Sequence, residues 1–270
     1  MQWQVALNND SFDRAGITKD CKDAVCEYIW NSFEAGASKV SVSMTGSPLR
    51  EAMSLVVTDN GTGIAFDNLD KTFGTFLASL KNNATMRLKS QSNKGKGRFS
   101  YLSFSHSAEW RTVYRTDNKL MQYTISTNSA NRSQFDTTEP VDAADAAETG
   151  TTVTFSLEDS NAVDSLSFGA MKQKLLEEFA WYLFLNKDKG YVLEYTGIPL
   201  DISEYIRTDL SRNCPCKIGD HDFSIDVVVW NSSVSNSSKI YYRTEKGEIA
   251  ATRNTSFNKN TVNFYHAVFV

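Results

Sequence analysis

The sequence predicts an α+β sandwich, with helices early, strands late and one face of the sheet covered. Three observations carry that expectation. Residues 21–37 place Ala24, Val25, Tyr28, Ile29 and Phe33 mostly on one face at helical period. Residues 38–44 and 51–58 alternate or cluster apolar side chains as a pair of strands does, which predicts a hairpin. Four later segments rich in Thr, Tyr, Val and Ile, at 108–115, 120–128, 131–138 and 151–157, read as an antiparallel meander. With 270 residues, 41% of them apolar, the chain has room for one large domain or two.

Each element has its own signals. Residues 1–16 are polar and irregular, and an arm or a short element is expected there. Thr18 or Asp20 caps the first helix, because both types accept the free N–H groups of a helix start, and Gly36 ends it. Gly46-Ser47-Pro48 is a turn between the first two strands. Asp59-Asn60-Gly61-Thr62-Gly63-Ile64 then breaks the strand pattern, and 66–76 has helical spacing. Residues 74–97 turn polar and loop-like, a length that marks a functional lid or disorder. A helix is expected over 98–105, opening at glycines, and 139–148 is a surface loop. A long amphipathic helix over 167–185 follows. Short strands at 191–195, 198–200, 223–230 and 240–243 turn at Gly197, Gly219 and Gly247. The final run, 265–270, is apolar and strand-like, so the expectation is an N-terminal fragment of a longer chain. The domain boundary is expected near 165, giving units 1–165 and 166–270.

Charge and cysteines narrow the class. A net charge of −4 argues against a protein that coats nucleic acid through its overall charge. One stretch departs from that balance. Between Lys71 and Ala108 there is no acidic residue, yet Lys71, Lys81, Arg87, Lys89, Lys94, Lys96 and Arg98 all fall there, which suggests an anionic ligand. No apolar run of about 18 residues predicts a membrane span, and the first residues lack a signal-peptide pattern. Cys21, Cys26, Cys214 and Cys216 do not match common zinc spacings, and reduced thiols in the cytoplasm are the simplest account.

The chemistry concentrates in four motifs. Glu27, Asn31 and Glu34 lie at i, i+4 and i+7 and stack on one helical stripe. A carboxylate and a carboxamide one turn apart can serve one site, the first taking a proton from water and the second holding a hard cation. Alone, such a stripe is a solvated helix face; the motifs downstream change the reading. D-N-G-T-G-I at 59–64 follows an apolar strand. Lys94-Gly95-Lys96-Gly97-Arg98-Phe99 opens a helix, where bare N–H groups bind phosphate. Gly150-Thr151-Thr152-Val153 opens a late strand. In this order, across residues 15–160, the motifs resemble those of the GHKL ATPases: gyrase, the heat-shock chaperone with the same pocket, histidine kinases and MutL. A P-loop, by contrast, is absent.

The resemblance implies a Bergerat-type α/β sandwich in residues 1–165. Its sheet is mixed but mainly antiparallel, with helices on one face, and a smaller α/β transducer-like domain follows in 166–270. It implies ATP as substrate with Mg2+, Glu27 as general base for the attacking water, and Asn31 as magnesium ligand against the triphosphate. Glu34 stands where the family often has Asp. Asp59 accepts a hydrogen bond from the adenine amine, with Gly61, Gly63 and Ile64 completing that motif. Lys81 takes the place of a lid lysine; Gly95, Lys96, Gly97, Arg98 and Phe99 form the lid hinge; and Thr151 steadies the adenine and its carboxylate. The implied working form is an ATP-dependent homodimer made through the arm and lid, cytoplasmic and without membrane. It acts as a nucleotide-gated switch whose nucleic acid or client protein is reached through further C-terminal regions. A nucleotide-sensing module without turnover is the alternative. A histidine kinase ranks below both, since the first histidine, His106, already follows the glycine-rich motif.

Overall fold

The computed structural model describes residues 18–46, 53–69, 86–88, 97–132, 134–157, 160–234, 237–257 and 264–270. The expected arm, the turn at 47–48, most of the lid and most of the helix expected over 66–76 lie outside the described residues; Phe66–Asn68 forms a single 3-10 turn. Two compact units result. The first takes in the described residues within Met1–Leu80, Asn93–Lys172 and Val192–Pro199, and the second those within Lys81–Ser92, Gln173–Tyr191 and Leu200–Val270.

The first unit is an α+β sandwich. Helix α1 (Cys21–Glu34) buries Ala24, Val25, Tyr28, Ile29 and Phe33, the face its spacing predicts, together with Trp30 and Ser32. Asp20 is its cap, accepting the N–H groups of Lys22 at 2.8 Å and Asp23 at 3.1 Å. At the other end Gly36 takes a φ of +80°. Its N–H donates to Phe33 O at 2.9 Å and that of Ala37 to Ser32 O at 3.1 Å, which ends the helix in a Schellman turn. The Tyr28 ring meets Phe155 at 4.6 Å, and Phe104 meets the same ring at 5.0 Å. Removing three such rings from water anchors the helix to the sheet, each worth about 1.5–3 kcal/mol.

Among the described residues that sheet has nine strands. β1 (Lys39–Gly46) and β2 (Met53–Asp59) form the expected antiparallel pair. β3 (Ser107–Thr116) and β4 (Lys119–Asn128) are joined by Asp117-Asn118, both at positive φ, as a two-residue hairpin of this twist requires. β5 (Asp136–Thr137) and β6 (Val141–Asp142) are two-residue strands on the outer edge of β4. β7 (Gly150–Leu157) lies between β3 and β2. The expected meander is therefore corrected. The segment over 131–138 is too short a strand to offer β7 an edge, and Val153, Phe155 and Leu157 are instead buried in the sheet's centre. A second correction concerns 98–105, where a short 3-10 helix, Gly97–Ser103, replaces the expected α-helix. After helices α2 (Ser160–Ser165) and α3 (Phe168–Leu185), β8 (Val192–Tyr195) pairs parallel to β1 and turns into β9 (Ile198–Pro199).

Among the described residues of the second unit a five-stranded sheet runs in the order β10 (Arg212–Ile218), β11 (His221–Val229), β14 (His266–Phe269), β12 (Lys239–Arg243), β13 (Ile249–Asn254). Trp181 of α3 stacks on Phe269 at 5.1 Å, and Tyr241 packs on the same ring. β10 escaped the sequence reading because Pro215 breaks its pattern, and Pro is tolerated here because β10 is an edge strand. Among the described residues no helix is long and apolar enough to cross a membrane.

Candidate functional site

The register of the first sheet assembles the site. β2 is hydrogen-bonded to β1 on one side and β7 on the other, which sets Asp59 opposite Thr151. Paired residues share a face, so the second and fourth motifs meet without any loop having to find its place. The Asp59 carboxylate is already engaged. Oδ1 accepts the N–H groups of Gly61 at 2.9 Å and Thr151 at 3.2 Å, and Oδ2 accepts the Ser32 hydroxyl at 2.9 Å. Burial pushes the Asp59 carboxyl up from its ordinary value of 3.8, while the bonds from Gly61, Ser32 and Thr151 pull it back. A carboxylate oxygen carries two lone pairs, so Oδ2 keeps room for one further donor.

The D-N-G-T-G-I loop is held by its own side chains. Asn60 Oδ1 accepts the N–H groups of Ser38 and Lys39 at 3.0 and 2.9 Å, tying the loop to the start of β1. Gly61 passes so close to α1 that a Cβ would stand 2.9 Å from Ala35 O. Gly63 has φ +72°, and a Cβ there would run into the Val113 carbonyl. Ile64 N–H then donates to Thr112 Oγ1 at 2.8 Å.

The first and third motifs also converge. A Cβ on Gly97 would stand 3.3 Å from Glu27 Oε2, 3.5 Å from Asn31 Nδ2 and 3.9 Å from Asn31 Oδ1. The backbone at the opening of the 3-10 helix thus faces both polar ends of the α1 stripe. Tyr28 locks this contact from below, donating its hydroxyl to Arg98 O at 3.0 Å and accepting Tyr101 N–H at 3.2 Å. The Arg98 guanidinium sits 4.9 Å over the Phe99 ring, and burial lowers its pKa to about 10, so it is a cation at neutral pH. Phe99 is buried and meets Phe135 edge-on at 5.6 Å. Glu34 closes α1 and is half-buried. Lys81, Gly95 and Lys96 lie outside the described residues.

Two groups of the sequence-predicted residues are therefore brought together: Glu27 and Asn31 with Gly97, and Asp59 and Gly61 with Thr151. Sequence reasoning missed Ser32, Thr112 and Tyr28 as parts of the site. A signal existed for Thr112, a polar residue in the inward register of β3 between Trp110 and Tyr114. Among the described residues no three His, Cys, Asp or Glu side chains gather as a metal cage.

The family model for histidine kinase-, DNA gyrase B- and HSP90-like ATPases matches residues 19–157, just over half of the chain. The chain belongs to this ATPase family. In this family member the matched span runs from the N-terminus of α1 to the last residue of β7. It contains every described candidate site residue. No curated protein matches the chain. Solved structures that match include the ATPase and transducer domains of DNA topoisomerase II from Balamuthia mandrillaris. That likeness has 16% identity and a TM-score of 0.49, over 84% of this chain and 59% of that one. The ATPase region of Saccharomyces cerevisiae topoisomerase II matches at 12% identity and a TM-score of 0.49, over 93% of this chain and 71% of that one. The family member described here thus spans 59% of the length of the Balamuthia chain.

Proposed function

We propose that the chain binds ATP with magnesium and hydrolyses it, and that the cycle works as a nucleotide-gated switch in a larger protein. The observation that carries this reading is the convergence of Gly97 on Glu27 and Asn31 while Asp59 is held beside Thr151. One end of the site has an acceptor suited to the adenine amine, and the other has a general base and an amide oxygen.

Glu27 takes a proton from a water as the water's oxygen bonds to the terminal phosphorus. The bond from that phosphorus to the bridging oxygen breaks, leaving ADP and phosphate. Gly97 bears no side chain, so phosphate oxygens can approach the backbone and the α1 stripe together. The residues present fit magnesium. Asn31 offers a hard oxygen beside this cradle, and Mg2+ commonly uses few protein ligands, completing its shell with phosphate oxygens and water. When bound, the ion neutralises phosphate charge. Arg98, a half-buried cation at neutral pH, adds to the positive field at the same opening. Lys81, Gly95 and Lys96 are assigned to the lid and its hinge, and a second copy of the chain is the proposed partner of the closed state.

The division into an ATP-binding part, 1–165, and a transducer-like part, 166–270, is kept as a division of labour. Every assigned site residue precedes residue 166, while β8 and β9 complete the first sheet. Isothermal titration with ATP and GTP, alongside measurement of ADP release, tests the proposal. ATP should bind with magnesium, GTP far more weakly, and ADP should accumulate. GTP binding within a few-fold of ATP overturns the adenine assignment, and tight ATP binding with no ADP release reduces the chain to a nucleotide sensor.

A further inference from the structure

Thr112 is a polar residue in the inward-facing register of β3 and is completely buried. Its hydroxyl joins three segments of the chain. The oxygen accepts Ile64 N–H at 2.8 Å and lies 3.3 Å from Gly150 O and 3.2 Å from Thr151 Oγ1. A hydroxyl has one proton and two lone pairs. With one lone pair on Ile64 N–H, the proton goes to the Gly150 carbonyl or to the Thr151 hydroxyl. In the first arrangement Thr151 gives its own proton to Thr112 and shows the pocket lone pairs alone. In the second Thr151 keeps its proton to donate. The backbone N–H of the same Thr151 holds Asp59 Oδ1 at 3.2 Å, so the choice is made next to the base-reading carboxylate.

We propose that Thr112 is a positioning residue for base recognition: through Ile64 and Thr151 it fixes the hydrogen-bond polarity presented beside Asp59. The inference rests on the nucleotide reading above. Adenine shows a donor, its amine, beside a ring-nitrogen acceptor. A carboxylate next to a donating hydroxyl complements that edge. With the hydroxyl reversed, the site offers two acceptors, which suit the adjacent ring N–H and amine donors of guanine. Thr112 donating to Thr151 therefore favours adenine, and loss of the Thr112 hydroxyl frees Thr151 to turn either way.

The test is titration of ATP and GTP against the full chain and its Thr112→Val, Thr112→Ala and Thr112→Ser variants, with thermal melting to verify folding and steady-state kinetics in parallel. The valine and alanine variants should lose about tenfold in ATP affinity, the equivalent of one hydrogen bond, and narrow the ATP/GTP ratio by a similar factor. Their KM should rise while kcat stays within about twofold, since Thr112 acts through the base end of the site. Serine should restore both affinity and ratio. An unchanged ratio in the valine and alanine variants overturns the inference, as does equal weakening of both nucleotides or failure of serine to restore. If valine does not fold, alanine decides; if neither folds, the residue is structural and the inference falls. A wild-type chain that does not discriminate the nucleotides removes the underlying reading. A discriminating wild type with unaffected variants removes the inference alone.

Discussion

Glu27 and Asn31 sit one turn apart on α1, both half-buried and both facing Gly97, yet their assigned chemistry differs. In the proposed mechanism Glu27 acts on the attacking water, so it should matter in the transition state and little in ground-state binding. Asn31 is the proposed magnesium ligand against the phosphates and should matter in both. Glu27→Ala is expected to keep ATP affinity within a few-fold and lose turnover by roughly 10²–10⁴, while Asn31→Ala loses magnesium-dependent affinity as well. Titration and ADP release on both variants check this, and wild-type turnover by Glu27→Ala would falsify the scheme. A second residue-scale prediction concerns pH. Burial raises the Asp59 carboxyl above 3.8, so as pH falls through that raised value the group takes up a proton and ceases to be a pure acceptor. ATP affinity should therefore fall with acidification at a higher pH than an ordinary aspartate would impose. The Ser32 hydroxyl bond to Oδ2 opposes the rise, so Ser32→Ala should move this acid limb to still higher pH. The triphosphate titrates identically in both proteins, so the comparison isolates Asp59; coincident limbs in the two would refute the assignment. For stability the sign is opposite: a raised carboxyl favours the folded state below 3.8, and that contribution is lost as pH rises through the folded value.

At the scale of elements, the site exists because α1 is fixed to the sheet and β7 is threaded between β3 and β2. Phe155 serves both ends of that arrangement. It is fully buried, its ring contacts Tyr28 and Phe104, and it lies on the strand that carries Thr151. Phe155→Ala should destabilise the first unit by about 3–5 kcal/mol, read from a denaturant midpoint shift at unchanged slope. A loss under about 1 kcal/mol would mean that α1 is anchored elsewhere. Much of this level was legible in the sequence. The apolar stripe of α1, the β1–β2 hairpin and the strands around 108–128 and 151–157 follow from period and composition alone, and the α+β class with them. Strand order was not, because alternation reveals a strand's faces and is silent on its neighbours. The placement of β7 was therefore missed, as was β10, where Pro215 masks an edge strand. Of the site, the motifs located Glu27, Asn31, Asp59, Gly97 and Thr151 along the chain. Ser32, Thr112 and Tyr28 join the candidate site only through contacts spanning 27 to 73 residues of sequence.

At the scale of the whole molecule, the proposed switch makes two claims that can be separated by mass action. A ligand that binds only the folded state stabilises it by RT times the logarithm of one plus its concentration over Kd, about 2.7 kcal/mol at a hundredfold excess over Kd. That shift arises within the first unit, where the described site residues lie, and does not depend on protein concentration. Closure into a two-fold dimer adds a term that does, because a dimer dissociates as it unfolds. A net charge of −4 on each copy offers little long-range opposition, since charges more than about 8 Å apart are largely screened at physiological salt. Thermal unfolding should therefore be independent of protein concentration without nucleotide. With a non-hydrolysable ATP analogue it should rise with protein concentration, while light scattering shows the mass doubling. If the analogue raises the transition equally at low and high protein concentration and the mass stays monomeric, the nucleotide site stands and the dimer does not. If the analogue raises nothing, the nucleotide assignment itself fails, and the convergence of Glu27, Asn31 and Gly97 needs another explanation.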